Sequence, residues 1–399
     1  MSTDRPALRP DTVAVRTGRG GDAGTLAPSI VPTTTWASDT VDEAHRKARR
    51  PRSPEFYSRF GNPGVQAFAD AVAELEGADA GVSFASGMGA VSSTILALCS
   101  SGSHVVAQRQ LFAATHQLFT GVCARFGIEV TLVDGTDADA IEAAVEPGRT
   151  QVVFVETPAN PVMAVVDLQR IGAITGPITV VDSTFATPVV QRPLEIPGID
   201  LVVHSATKGL AGHNDATLGV AVGDRELVNW IWGYSTIHGA TASPFDAWNG
   251  LRGLRTLGIR VRRQCETAHR LAELLCDRDE VAAVHYPGLA GHPQADVVAR
   301  QMDLGGGCLS FDLRGGLDAG RVFVEALELA HLAPSLGGPD TLVTHPATMT
   351  HASMTPEDRA AGGIGDGLVR LSAGLEHPDD LVADVEQALA VVSDHATVA

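Results

Sequence analysis

No stretch of the 399-residue sequence reaches the roughly eighteen apolar residues that a membrane-spanning helix needs, so no membrane partner is expected. The opening residues, Met1 to Pro6, lack the apolar core of a secretory signal. Cysteine is sparse. Cys99, Cys123, Cys265, Cys276 and Cys308 are odd in number and form no CxxC, which excludes a zinc ribbon and argues against a disulfide framework. Positive charge is short as well: 29 Lys and Arg stand against 47 Asp and Glu, a formal net charge of −18. A field of that sign repels phosphate backbones, so nucleic acid is not an expected partner. Internal repeats and low-complexity segments are missing too. What remains is ample core material, 44 % hydrophobic residues at a mean hydropathy of +0.09. A folded, reduced, cytoplasmic protein of two or three domains is the expectation.

Residues 1–61 hold Gly18, Gly20, Gly21 and Gly24, several prolines and a basic run from Arg46 to Arg52, with little periodic pattern. They read as an extended arm whose basic run faces solvent or another subunit. Beyond Gly61, apolar runs at 81–84, 104–107, 129–133, 151–156, 178–182, 201–204 and 218–222 read as buried strands. Helical patterns at 89–98, 137–145 and 168–174 lie between several of them. That alternation predicts an α/β domain over 62–258, with a mostly parallel sheet covered on both faces. A long helical pattern starts near Ser243 and continues through Leu275. Residues 259–399 read as a smaller α+β domain, with strands at 308–313 and 368–372 and a terminal helix from Asp379. Ligands of such sheets sit beyond the carboxyl ends of the strands.

Three segments lie at such ends. Ala80 to Gly89 runs from a strand through a glycine turn into a helix, and the N–H groups of Gly87 and Met88 there form either an anion site or an ordinary tight turn. The segment Gly87-Met-Gly-Ala-Val-Ser92 is only a near-match to GxGxxG. The run 178–182 ends in Asp182, followed by Ser183 and Thr184; a carboxylate there needs a cation or a donor. The run 201–204 ends in Ser205-Ala-Thr207-Lys208, where a desolvated lysine becomes a nucleophile for carbonyls. Two chemistries fit. Ser205-x-x-Lys208 matches the SxxK element of serine acyl-transfer enzymes, although no SDN or KTG partner occurs. Alternatively Lys208 is a Schiff-base lysine for pyridoxal 5′-phosphate (PLP), with Ser205, Thr207 and the Gly87–Met88 turn at the phosphate and Asp182 at the pyridinium nitrogen. The second reading uses all three segments. His204, His213, His345 and His351 lack zincin spacing, so no metal is expected. Trp36, Trp230, Trp232 and Trp248 read as core or interface anchors.

Residues 200–215 resemble the lysine signature of the PLP-dependent Cys/Met-metabolism family of cystathionine γ-synthases, cystathionine and methionine γ-lyases, and O-acylhomoserine sulfhydrylases. The resemblance extends over almost the whole chain. Tyr57-Ser-Arg59-Phe-Gly-Asn-Pro63 is similar to the arm motif that grips a neighbouring subunit's cofactor phosphate. Glu156-Thr-Pro-Ala-Asn160-Pro161 resembles the loop whose Asn lies beside the cofactor 3′-oxygen. Ser335-Leu-Gly-Gly338 and Val369-Arg370-Leu-Ser-Ala-Gly-Leu-Glu376 resemble the segments that bind the substrate carboxylate through Ser335 and Arg370. The resemblance implies PLP-dependent transferase fold type I, an amino-acid substrate, and a homodimer as the minimum with a tetramer as the family's expectation.

Departures from the family pattern bear on the reaction. Phe112-Ala-Ala-Thr115 stands where the family carries Tyr-Gly-Gly-Thr or Tyr-Gly-Cys-Thr; Phe112 stacks on a ring but offers no hydroxyl. Ser183 replaces an Asn, and Asp340 stands where many relatives have Glu. The expectation is γ-elimination from a γ-substituted L-amino acid, as in a methionine or cystathionine γ-lyase, with γ-replacement as the alternative. Without a phenol, either another acid serves or the substrate carries a group that departs unprotonated, an acyloxy group or a halide as in a 4-halogenated amino acid.

Overall fold

The computed structural model describes residues 8–18 and 25–398. The first residues of the chain and Gly20, Gly21 and Gly24 of the expected arm lie outside them. Seven strands form the larger sheet: β1 (Ala80–Phe84), β2 (His104–Gln108), β3 (Glu129–Val133), β4 (Thr150–Glu156), β5 (Ile178–Asp182), β6 (Leu201–His204) and β7 (Gly219–Gly223). Their order is β1-β7-β6-β5-β4-β2-β3. All neighbours are parallel except β7, which runs antiparallel to β1 and β6. The apolar runs are continuous because both faces are covered. Val152 and Phe154 of β4 join one core with Val180, Leu201 and Val203, whereas Val153 and Val155 join the other with Val181 and Val202. Pleating sends alternate residues to opposite cores.

Helices Pro63–Glu76 and Arg225–His238 add to the expected set. Asn62 caps the first, its Oδ1 accepting from the Gly64 and Val65 N–H groups, and Pro63 starts it without needing a donor. The arm is less extended than expected, for it contains helices Pro10–Arg16 and Val41–Arg49. The second buries none of its residues and places Arg46, Lys47 and Arg49 in its last turn, where the helix dipole favours cations. Its apolar stripe is short, limited to Val41, Ala44 and Ala48, and so easily missed.

The expected single helical stretch after Ser243 divides into Pro244–Leu254 and Leu257–Cys276. Along the latter, Val261 and Cys265 pack in a core of the larger sheet, and Ala268, Leu271 and Leu275 in that of the smaller. The smaller sheet has the order β10-β11-β12-β9-β8, from β8 (Val281–His285), β9 (Cys308–Leu313), β10 (His331–Leu332), β11 (Leu342–Thr344) and β12 (Leu368–Ser372). Its core meets helix Gly316–Ala326 and the last helix, Pro378–Val398. Among the described residues, no helix is long and apolar enough to cross a membrane.

Candidate active site

The carboxyl ends of β1, β4, β5 and β6 open into one cavity of about 280 Å³. Gly87, Met88, Phe112, Asn160, Asp182, Thr184, Ser205, Thr207, Lys208, Ser335 and Arg370 all line it. Tyr57 and Arg59 do not. Arg59 donates from Nη1 to the Thr236 carbonyl at 2.6 Å and lies over the rings of Tyr57 and Phe60, at 5.5 and 4.9 Å. A larger open groove of about 700 Å³, between residues 169–198 and 299–303, contains none of these groups.

At one end of the cavity, Ser86 caps the 12-residue helix Gly87–Leu98 by accepting from the Gly89 N–H at 3.0 Å. The first N–H groups of that helix have no acceptor within it, and the helix dipole adds positive potential. Ser205 closes against this turn: a Cβ on Gly87 would lie 2.5 Å from Ser205 Cβ and 2.7 Å from its Oγ. Thr207 supports the loop instead, its hydroxyl bonded to both backbone groups of Leu218 at 2.9 and 3.1 Å. Asp182 is buried and accepts from the Thr184 hydroxyl at 2.5 Å and the Thr184 N–H at 3.0 Å. Burial pushes its carboxyl above the usual range against those bonds. No Lys or Arg pairs with it among the described residues.

Lys208 is half-buried, and Nζ donates to Ser335 Oγ at 2.8 Å. Burial, and then the charge of Arg370, lower its amine to about 8. Ser335 holds a φ of 98°, a strained value for a residue with a side chain. Arg370 comes from β12, is 4 % exposed, and donates from Nη1 to Asn160 Oδ1 at 2.7 Å and from Nη2 to the Ser335 carbonyl at 2.8 Å. Its Nε has no partner. The acyl-transfer alternative for Ser205 and Lys208 is corrected here, because Nζ bonds Ser335 and Ser205 turns to Gly87.

Glu156, which the sequence motifs alone do not single out, also lines the cavity. It ends β4 as Asp182 ends β5, and the two are register partners. The signal that singled out Asp182, an acid closing an apolar strand, applies equally to Glu156. Thr350 and Phe185 also line the cavity, the latter with the Arg370 guanidinium 5.8 Å from its ring. Phe185 directly follows Thr184 at the end of β5, whereas Thr350 comes from a segment without a strand-end signature.

These residues fit PLP. An anion cradle, a buried acid lacking its cation and a depressed amine surround one cavity, matching phosphate, pyridinium nitrogen and aldehyde. Fold and site together define a PLP-dependent enzyme of fold type I. Residues 11–390 match the family described as Cys/Met metabolism PLP-dependent enzyme, and the chain belongs to that family. It is 44 % identical to an L-methionine gamma-lyase of Pseudomonas putida, over 92 % of this chain and 93 % of the relative. An O-succinylhomoserine sulfhydrylase of Pseudomonas aeruginosa is 39 % identical over 98 % of both. A crystal structure of cystathionine gamma synthase from Xanthomonas oryzae pv. oryzae, in complex with aminoacrylate and cysteine, superposes with a TM-score of 0.90 at 38 % identity. That match covers 98 % of this chain and 100 % of the other.

Proposed function

We propose that the protein removes a substituent from the γ carbon of an L-amino acid, with γ-replacement of that substituent as the alternative outcome. The observation that carries this reading is the convergence of Lys208, Asp182 and Arg370 on one cavity. Gly87, Met88 and Ser205 would hold the cofactor phosphate, with Thr207 bracing their loop from the same end of the cavity; Asp182 with Thr184 would hold its ring nitrogen, Asn160 its 3′-oxygen, and Phe112 its ring face. Bound PLP supplies an electron sink for negative charge at the substrate's Cα and Cβ. Arg370 and Ser335 orient the substrate carboxylate, since a buried guanidinium with an unpartnered Nε suits an anion. Lys208 moves protons at Cα and Cβ, because an amine near 8 exchanges them close to neutral pH.

Tyr57 and Arg59 would serve the cofactor phosphate of a neighbouring subunit, which makes a homodimer the minimum assembly and a tetramer the expectation. Their absence from the lining of their own chain's cavity supports this. Phe112 favours a particular substrate class. Its ring lines the cavity and is 42 % exposed, yet it has no proton to give. A group that departs unprotonated, an acyloxy group or a halide as in a 4-halogenated amino acid, suits that wall. The test is a panel of γ-substituted amino acids, assayed for 2-oxo acid, for the released group and for replacement by added thiols. Turnover of acyloxy or halogenated substrates above L-methionine is the expected result. Absence of turnover across the panel overturns the reading.

A further inference from the structure

Glu156 is 3 % exposed, and its side chain reaches the two segments that frame the cavity. Oε2 accepts from the Phe112 N–H at 3.0 Å, and Oε1 accepts from the Asn160 N–H at 2.8 Å. Its main chain is fixed as well: the N–H donates to Gln108 Oε1 at 3.0 Å, and the carbonyl accepts from Gln108 Nε2 at 2.8 Å. From Asn160 the network continues through Oδ1 to Arg370, from Arg370 to the Ser335 carbonyl, and from Ser335 Oγ to Lys208. One carboxyl group therefore joins the segment bearing the Phe112 ring to Asn160, whose side chain holds the Arg370 guanidinium.

We infer that Glu156 is a positioning residue that sets Phe112 and the Asn160–Arg370 clamp together, so that ring stacking and carboxylate binding share one support. The inference rests on the proposed roles of Phe112 and Arg370. Two oxygens and two facing N–H groups make the fit specific to a carboxyl group. An amide in its place offers one acceptor and one donor, so one buried N–H meets a donor and loses its partner. Burial, and then the adjacent Asp182, push the Glu156 carboxyl up to about 8.

The test uses holoenzyme of wild type, Glu156→Gln and Glu156→Asp. L-Norleucine, which has no leaving group on Cγ, reports binding through the visible absorbance of the bound cofactor. Glu156→Gln is expected to weaken norleucine binding and raise KM about tenfold, the scale of one lost buried hydrogen bond. Its kcat falls less, and the visible circular dichroism of the bound cofactor changes as the Phe112 ring moves. Glu156→Asp keeps both acceptors on a shorter stem and is expected to lie between the two; it carries the test if the Gln variant fails to fold. A folded variant with wild-type norleucine affinity and unaltered dichroism overturns the inference, as does a loss confined to kcat. Arg370→Lys separates this from the reading beneath it. Weakened binding there, beside intact binding in the Glu156 variants, overturns the link and keeps the carboxylate site. Intact binding in all three overturns both.

Discussion

The strand-end wall of the cavity and the arm differ in what holds their polar groups. On the wall, Asp182 is bonded by Thr184, Ser205 N–H donates to Thr184 Oγ1 at 2.8 Å, and Lys208 meets Ser335, all within one chain. The sheet ladder sets these groups before any ligand arrives. In the arm, Arg59 rests on one carbonyl and two aromatic rings, while Tyr57 is 42 % exposed. The wall is preorganised by a single fold. Under the proposed assembly, Tyr57 and Arg59 would be completed by the cofactor phosphate of a neighbouring subunit.

Lys208→Ala attacks the wall at its reactive atom and has the largest expected effect. Turnover should fall by several powers of ten, as when a covalent catalyst is removed. Borohydride treatment of the holoenzyme should no longer attach cofactor to the peptide containing position 208. Attachment that persists at the native site would show the wrong lysine has been assigned.

Gly87→Ala tests the wall without touching a reactive group. The new Cβ would lie 2.5 Å from Ser205 Cβ and 2.8 Å from its Cα, so main chain must shift and the phosphate cradle widens. Overpacking of this kind costs about 1–3 kcal/mol, which predicts cofactor affinity weaker by about a hundredfold at the upper end. Equilibrium dialysis of PLP against the apoenzyme measures it. Unchanged affinity would remove Gly87 from the phosphate site.

Arg59→Ala tests the arm, with an expected loss of about tenfold in PLP retention for one charge-assisted pair. Mixed oligomers decide whose cofactor it serves. Subunits with Arg59→Ala combined with Lys208→Ala subunits should recover activity, because one site in the mixed dimer then has both residues intact. If subunit exchange is verified and nothing recovers, the shared site is wrong.

The contrast also governs what the sequence could reveal. Strands at 178–182 and 201–204 were legible to the residue, because burial on both faces writes an unbroken apolar run that ends at the site. Helix Val41–Arg49 was not, since it buries nothing. Its Thr40-x-x-Glu43 cap was the readable clue, with Thr40 Oγ1 accepting from the Glu43 N–H at 3.2 Å. The break between Leu254 and Leu257 was hidden for a tertiary reason. Arg260 reaches back to the Gly253 carbonyl at 2.7 Å and across to that of Gly209 at 2.9 Å, an interaction no periodicity encodes. Glu156 shows a third case, in which the signal was present but the role depends on which N–H groups the fold brings to it.

The smallest expected effect, and the one that sharpens substrate class, is Phe112→Tyr. A thiolate leaves with help from a proton, and a well-placed acid is worth roughly 10²–10⁴-fold. A phenol introduced into a wall packed around a phenyl ring should recover only part of that, about tenfold in kcat/KM on L-methionine. On substrates whose group departs unprotonated, the phenol has nothing to protonate, and the rate should stay within about twofold of wild type. The ratio of the two substrates in the two enzymes is therefore the measurement, because any general disturbance of the pocket cancels from it. A wild-type enzyme that cleaves L-methionine efficiently, with no gain in Phe112→Tyr, would mean that another group protonates the departing thiolate. The leaving-group argument from Phe112 would then fail, while the strand-end wall and its lysine would stand.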